Sequence, residues 1–293
     1  MDILIDSHAH LNFNIFDKDR EQIVSKCLDK NVWVINVGTN YETSKKAVEI
    51  AERYEKGIWA SIGLHPINLD AGLLKLKGDN FEGGKPEKEF DFYKYKLLAS
   101  SKKVVAIGEI GLDYYWRPKG KGKRELFKQR QKELLLEELE LADEMELPVI
   151  FHCRLAHNDL IKVLKERSRT KNRPIKGVIH SFVGTLDQAK EYLKMGLYLG
   201  FNGMIFKAIG GISFEQIIKY VLLEKILIET DSPYLIPPKA EIDAEAVEIG
   251  GFKRNTPLFV GYIAQRIAEI KNVSFEEVEE ATAKSAKDLF KIG

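Results

Sequence analysis

The sequence offers little that could stabilise a fold covalently, because only two of its 293 residues are cysteine. A chain of this length can bury a core without disulfides, so we expect Cys27 and Cys153 to be free thiols. The sequence also lacks any run of the ~20 apolar residues that a membrane-spanning helix needs. Its start shows no signal-peptide pattern, and the predicted location is therefore the cytoplasm.

The sequence also lacks an excess of either positive or negative charge. The chain has 45 Lys and Arg against 44 Asp and Glu, which gives a formal net charge of +1 at pH 7. A molecule this balanced does not bind polyanions over its whole surface, so any contact with nucleic acid must come from a local patch. Nothing in the sequence predicts a membrane partner or an obligate protein partner.

Short apolar segments typical of strands alternate with amphipathic helices along the chain. We predict eight strands, at residues 3–5, 32–37, 58–63, 104–107, 148–151, 177–179, 197–201 and 226–228. Helices separate most of them, and two more follow at 256–270 and 274–290. Eight βαβ units predict an α/β fold of the (β/α)8 TIM barrel type, as a single domain over residues 1–293. The alternative is an open doubly wound sheet, which the lack of a GxGxxG motif after the first strand disfavours.

Two segments interrupt this alternation. Residues 70–91 contain a Gly-Gly pair, a proline and many lysines, and they predict a surface loop or insertion. Residues 119–123 alternate Lys with Gly, and they predict a loop before a long helix at 124–145.

Residues suited to metal binding lie where the predicted strands end. His8 and His10 follow the first strand, and side chains two residues apart in extended chain point the same way. Four further strands are followed by His65, Glu109, His152 and His180, and the eighth by Asp231. Five of the six histidines fall in these positions. Because all strand C-termini of such a barrel open on one face, the side chains are expected to converge there.

Imidazole combined with carboxylate suits zinc, manganese, iron or nickel better than magnesium. One catalytic zinc takes only three protein ligands, so six candidates exceed a single site. A two-metal site with a bridging carboxylate, its ions ~3.5–4 Å apart, would use them all. We therefore predict two divalent ions, whose identity (zinc, manganese, nickel or magnesium) stays open. The candidate ligands at this point are two carboxylates, Glu109 and Asp231, with four or five of the histidines at the strand ends.

Several segments resemble the TatD family of metal-dependent deoxyribonucleases, which are amidohydrolase-like TIM barrels. They are residues 6–10 (DSHAH), 63–66 (GLHP), 108–114 (GEIGLDY), 150–154 (IFHCR), 180–184 (HSFVG) and 229–234 (ETDSPY). The resemblance runs from residue 6 to the C-terminus, with the motifs in family order. Residues 254–257 (RNTP) resemble the family's Arg-Asn-Glu-Pro, with Thr256 in place of Glu. Residues 70–91 look like an insertion relative to the family.

This resemblance implies a role for each candidate. His8, His10 and Asp231 would hold one metal, His152 and His180 the second, and Glu109 would bridge them. The implied reaction is hydrolysis of DNA phosphodiesters, with DNA as substrate and cleavage from strand ends. The resemblance implies that the cations would acidify a water for attack on phosphorus. Glu109 and Asp231 are therefore the predicted catalytic residues, and Asp231 would orient that water or take its proton. The predicted substrate-binding residues, which would hold the scissile phosphate, are His65 and Arg154.

The residues alone leave other interpretations open. The same chemistry would serve an amidohydrolase or a deacylase of aminoacyl esters, and a metal- or nucleic-acid-binding protein without catalysis is a third hypothesis. Arg154 could instead pair with Glu109 or Glu229. Cys153 is expected to face the helices, and His157 to be exposed. Three aromatic residues, at 114–116, could stack a nucleic-acid base or pack the rim.

Overall fold

The computed structural model describes residues 3–69, 73, 82–238, 248–249 and 252–293. Eight parallel strands pair in chain order, and backbone hydrogen bonds join the last to the first: Asp231 N–H donates to the His8 carbonyl at 2.9 Å, and His10 N–H to the Ser232 carbonyl at 2.8 Å. The strands are β1 (Leu4–Ala9), β2 (Val32–Val37), β3 (Ile58–Ile62), β4 (Val104–Asp113), β5 (Val149–Arg154), β6 (Gly177–Ile179), β7 (Tyr198–Phe201) and β8 (Ile226–Ile228). The predicted (β/α)8 barrel is confirmed.

Helices lie between most consecutive strands and cover the outside of the barrel. They are α1 (Arg20–Asp29), α2 (Tyr41–Ala51), α3 (Phe92–Ala99), α4 (Lys121–Glu144), α5 (His157–Lys171), α6 (Leu186–Lys194), α7 (Phe214–Tyr220), α8 (Val260–Lys271) and α9 (Phe275–Phe290). Three of them begin with complete capping boxes, at Asn40, Thr185 and Ser274. No helix in the described part of the chain combines the length and the apolarity needed to cross a lipid bilayer.

Alternation along the strands divides the apolar side chains between two cores. In β2, Trp33 and Ile35 belong to a small cluster inside the barrel, whereas Val32 and Val34 pack in the large layer between sheet and helices. The inner cluster is continued by Leu289 and Phe290 of α9. Burying each such side chain contributes about 1.5–3 kcal/mol, so α9 stabilises the barrel interior at the end away from the strand C-termini.

Several sequence predictions of local structure were wrong or could not be compared. Strands β1 and β5 run on to Ala9 and Arg154, so His8 and His152 lie within strands instead of after them. Strand β4 runs to Asp113 instead of ending at Ile107, because its backbone continues to pair with β5 after a register shift between Ile107 and Ile110. Helix α4 begins at Lys121, so the predicted loop at 119–123 is shorter than expected. Half of the predicted insertion at 70–91 lies outside the described residues.

Candidate metal centre

The six predicted ligands converge on one buried volume at the C-terminal end of the barrel, with Glu109 at its middle. The two carboxylate oxygens of Glu109 face different neighbours. Oε2 lies 3.4 Å from His8 Nε2, whereas Oε1 lies 2.6 Å from His152 Nδ1 and 3.4 Å from His180 Nε2. A carboxylate placed in this way can bridge two cations.

A second cluster of donors forms on the Oε2 side. His8 Nε2 and His10 Nε2 are 3.2 Å apart, and Asp231 Oδ1 lies 3.4 Å from the latter. The ligand atoms of these three residues all lie within 4.8 Å of one another, and the same holds for His8, Glu109 and His180. The structure therefore brings together every residue of the predicted ligand set.

A β-bulge places Glu109 in this position. The register shift between β4 and β5 inserts an extra residue at this point, and bulges near active sites commonly redirect a side chain. Gly111 then lets β4 pass close to β5, because a Cβ there would lie 2.0 Å from the His152 carbonyl oxygen. The bulge explains how Glu109 reaches the centre from within a strand.

Asp231 is held by a tight turn after β8. Its backbone is left-handed, with φ 55°, a conformation that Asp adopts more readily than most residues. Asn255 fixes this turn: its Nδ2 donates to the carbonyls of Thr230 at 3.0 Å and Tyr234 at 2.6 Å, and its N–H to the Pro233 carbonyl. The Arg-Asn-Thr-Pro segment thus positions a predicted ligand.

Hydrogen bonds behind the imidazoles determine which nitrogen is free. His10 Nδ1 lies 2.8 Å from the Val37 carbonyl, which requires a proton on Nδ1 and leaves the Nε2 lone pair directed at the centre. His180 Nδ1 lies 3.0 Å from Glu229 Oε1, so this ring also has an oxygen behind it, and its Nε2 faces Glu109. Such outer partners orient histidine ligands in metal sites.

His152 has a carboxylate at each nitrogen. Nδ1 faces Glu109, and Nε2 lies 3.1 Å from Asp113 Oδ2. Asp113 is therefore the outer partner of His152, as Glu229 is of His180. The sequence reasoning did not predict either role. The sequence does contain a signal for Glu229, because Glu229 and Asp231 show the same two-residue spacing at a strand end as His8 and His10.

His65 carries its proton on the other ring nitrogen from His10. Its Nδ1 accepts a hydrogen bond from Ile67 N–H at 3.2 Å, so the neutral ring carries its proton on Nε2. That Nε2 lies 3.4 Å from Glu109 Oε1. Although His65 lies close enough to Glu109 and His152 to form a ligand group, its inward nitrogen is a hydrogen-bond donor. This geometry suits an anionic substrate oxygen better than a cation.

Charges within the cluster favour a cation. Burial raises the pKa of Glu109, but the adjacent His65, His180 and His152 hold it well below its usual range. Burial likewise opposes ionisation of Asp231, yet the hydrogen bond from His10 and the nearby histidines lower its pKa. Burial and His180 lower the pKa of His8 to about 4. Both carboxylates are therefore ionised. His8 is neutral, whereas the pKa values of His10 and His180 are raised, because the neighbouring carboxylates outweigh the effect of burial.

The pKa of His152 is raised to about 9, because Glu109 and Asp113 together outweigh the effect of burial. A buried ring between two carboxylates carries a proton that a cation would have to displace. Ionised carboxylates in a buried site need such compensation by a positive charge. The donor set of imidazole nitrogen and carboxylate oxygen fits divalent transition metals, and the residues present therefore fit a metal centre.

Arg154 lies at the rim of the site. Its side chain is exposed, and its guanidinium carbon lies 3.7 Å from the centroid of the Tyr115 ring. Among the described residues, it makes no ion pair with Glu109 or Glu229, so that alternative was wrong. The reason is that both carboxylates are already taken: Glu109 by histidines, and Glu229 by the Ser181 N–H at 2.6 Å.

The prediction that His157 is exposed was also wrong. The ring is buried, with Nδ1 3.0 Å from the Tyr192 hydroxyl and Nε2 3.0 Å from the Val183 carbonyl. A polar helix start suggested exposure, but α6 and the chain before it cover this side chain. Cys153 faces the same helix as predicted, with its Sγ 3.9 Å from the Tyr192 hydroxyl, and both cysteines are free thiols.

A TIM barrel with imidazole and carboxylate donors at the C-terminal ends of its strands is typical of metal-dependent hydrolases. A family model described as TatD related DNase matches residues 5–291, and the chain belongs to this family. The resemblance inferred from the motifs is thereby confirmed.

Three relatives illustrate the similarity. The uncharacterized metal-dependent hydrolase YabD of Bacillus subtilis (strain 168) is 34% identical over 292 residues, covering 99% of this chain and 100% of that protein. The 3'-5' ssDNA/RNA exonuclease TatD of Pantoea sp. (strain At-9b) is 28% identical over 291 residues, with coverage of 99% and 100%. The crystal structure of YJJV, a TatD homolog from Escherichia coli K12, has a TM-score of 0.76 at 27% identity, covering 99% of this chain and 98% of that one.

Proposed function

We propose that this chain, acting as one domain over residues 1–293, hydrolyses DNA phosphodiesters from strand ends using two divalent ions. The observation that supports it is the placement of Glu109, whose two oxygens face separate sets of histidines. The name of the Pantoea relative, a 3'-5' ssDNA/RNA exonuclease, supports an exonucleolytic reaction on nucleic acid. Zinc, manganese, nickel or magnesium would each satisfy the proposal.

His8, His10 and Asp231 would hold one ion, His152 and His180 the other, and Glu109 would bridge. The inward Nε2 lone pair of His10 supports this assignment, and so do His180 Nε2 and His152 Nδ1, which both lie next to Glu109 Oε1. When bound, the ions would lower the pKa of water and neutralise charge on the phosphate.

Protein side chains would orient the water, accept its proton and hold the phosphate. The Asp231 carboxylate is 17% exposed, more than that of any other predicted ligand, and its lowered pKa keeps it ionised. It is therefore the group that can orient an incoming water and accept its proton. His65 would donate its Nε2 proton to a phosphate oxygen, and Arg154 would hold a second oxygen from the rim.

The proposal is tested with 3′-labelled single-stranded DNA, with and without EDTA. We expect EDTA to abolish degradation, and Asp231→Asn to slow it by a factor of about 100 or more, which is the usual contribution of a positioned base. Equal degradation under all conditions would refute the mechanism. Zinc-loaded protein should contain two equivalents, and a single equivalent would contradict the two-metal assignment.

A substrate panel separates this function from its alternatives. DNA, RNA, a phosphomonoester and an aminoacyl ester are compared at one fixed concentration of manganese. We expect the highest kcat/KM on single-stranded DNA. A preference for the aminoacyl ester would instead establish a deacylase, and no turnover of any substrate by metal-loaded protein would favour a binding protein.

A further inference from the structure

Two large aromatic side chains lie exposed beside the metal centre. Tyr115 and Trp116 lie two and three residues after the end of β4. They are 49% and 44% exposed, and their rings meet edge to face with centroids 5.1 Å apart. The Arg154 guanidinium lies over Tyr115, at 3.7 Å from the ring centroid. Together these three residues form a platform with ring faces and one cation at the mouth of the barrel.

The platform is tied to the centre through one carboxylate. Asp113 Oδ1 accepts hydrogen bonds from the backbone N–H of Tyr115 at 2.8 Å and of Trp116 at 3.3 Å. The other oxygen of Asp113 contacts His152 Nε2. Because Asp113 is buried, the backbone under the aromatic pair is fixed relative to a predicted metal ligand.

A strongly basic segment follows the aromatic pair. Residues 117–124 (RPKGKGKR) contain five cationic side chains and no acidic one. In the described part of the chain, none of the five has a carboxylate within 4.0 Å, the limit for an ion pair. Three of them lie in the first turn of α4, which has no acidic residue, and the helix dipole disfavours cations there. These five charges therefore do not stabilise the fold through ion pairs, and their sign favours binding of a polyanion.

We propose that Tyr115 and Trp116 stack the unpaired bases of a single-stranded nucleic acid, while its phosphates run along residues 117–124. The inference rests on the proposed nuclease function and names the part of the substrate that the enzyme recognises. Aromatic rings bind bases of any sequence through their faces, which base pairing and stacking conceal in a duplex. Recognition by this platform thus selects single strands and frayed ends.

Trp116 provides a direct readout of binding. The other two tryptophans, Trp33 and Trp59, are only 6% and 7% exposed, so a ligand that quenches fluorescence on contact acts on Trp116. Metal-free protein in EDTA is titrated with a thymidine oligonucleotide at low salt, which separates binding from cleavage. We expect quenching by the oligonucleotide, and its loss in Trp116→Phe.

Fluorescence anisotropy of a labelled oligonucleotide measures the affinity of each variant. We expect Tyr115→Leu to weaken binding about tenfold, as for removal of one stacking partner. Tyr220→Leu is the matched control, because Tyr220 is 52% exposed, has Lys190 over its ring at 5.7 Å, and ends α7 at the opposite end of the barrel. Its affinity should equal that of the wild type. Circular dichroism confirms that each variant is folded.

An abasic oligonucleotide of equal length and charge decides between stacking and electrostatic attraction. We expect it to bind at least tenfold more weakly and not to quench. Equal quenching by the abasic strand or by polyglutamate, or no quenching by any oligonucleotide, would overturn the proposal. If metal-loaded protein cleaves DNA but Tyr115→Leu leaves affinity and KM unchanged, the platform fails and the nuclease function stands. Quenching by the oligonucleotide without any cleavage of DNA would support the platform and contradict the nuclease function.

Discussion

Replacing Asp113 by asparagine tests whether the outer carboxylate controls the metal centre. Asn would still accept the hydrogen bonds from the amides of Tyr115 and Trp116, but it would present an N–H to His152 Nε2 in place of an oxygen. The ring must then accept at Nε2 and carry its proton on Nδ1. Since Nδ1 is the nitrogen beside Glu109, the proton would occupy the position proposed for the second ion.

The size of the effect follows from the contact that is lost. A buried hydrogen bond to a charged group contributes about 1.5–3 kcal/mol, which corresponds to a factor of about 10 to 100 in affinity. Outer partners of metal-binding histidines typically have effects of this size. We therefore expect Asp113→Asn to weaken binding of the second zinc equivalent about 10- to 100-fold and to leave the first unchanged.

Competition with a fluorescent zinc chelator measures the two affinities separately, and DNA hydrolysis at limiting zinc should fall in parallel and recover when zinc is in excess. Asp159→Asn is the control, because Asp159 accepts a hydrogen bond from Tyr114 at 2.8 Å and lies outside the centre. Wild-type affinity for both equivalents in Asp113→Asn would refute the reasoning, and so would an equal loss in Asp159→Asn.

Two further predictions concern stability. Burial lowers the pKa of His157 to about 4, so the unfolded chain binds a proton that the folded chain excludes as pH falls below 6.5. Between pH 7 and pH 4, the free energy of unfolding of the wild type should fall by about 3 kcal/mol more than that of His157→Gln. Urea unfolding at each pH measures both values, and parallel pH profiles of the two proteins would contradict this. Arg254 is buried and pairs with Asp19 at 2.5 and 3.1 Å. Arg254→Met should cost about 3 kcal/mol in thermal unfolding, against less than about 0.5 for the exposed Arg266→Met, and equal losses would show that burial is irrelevant.

The sequence was sufficient to predict the order of strands and helices, because each strand is a short apolar run between amphipathic helices. It was also sufficient to predict convergence of the histidines, since a barrel gathers strand ends on one face whatever the exact boundaries. His8 and His10 illustrate this: their two-residue spacing predicts a shared direction, and their Nε2 atoms are 3.2 Å apart.

Features that depend on contacts between distant segments could not be predicted. The bulge at Glu109 arises from the pairing of β4 with β5, and it leaves no mark in the local pattern except nearby glycines. His157 is buried by α6, which begins 29 residues later in the chain. The tautomer of His65 follows from a single backbone N–H, at Ile67. Each depends on tertiary geometry that periodicity does not encode.

Asn255 stabilises the turn that carries Asp231, so the geometry of the metal centre depends on a segment that is synthesised after the ligands. Every predicted ligand precedes Asn255, so a growing polypeptide contains the whole donor set before the clamp exists. Without that amide, the carbonyls of Thr230 and Tyr234 lose this donor, and the turn keeps the backbone bonds from Asp231 N–H to His8 and from His10 N–H to Ser232. The turn around Asp231 therefore gains its full set of hydrogen bonds only after residue 255 has been synthesised and has docked.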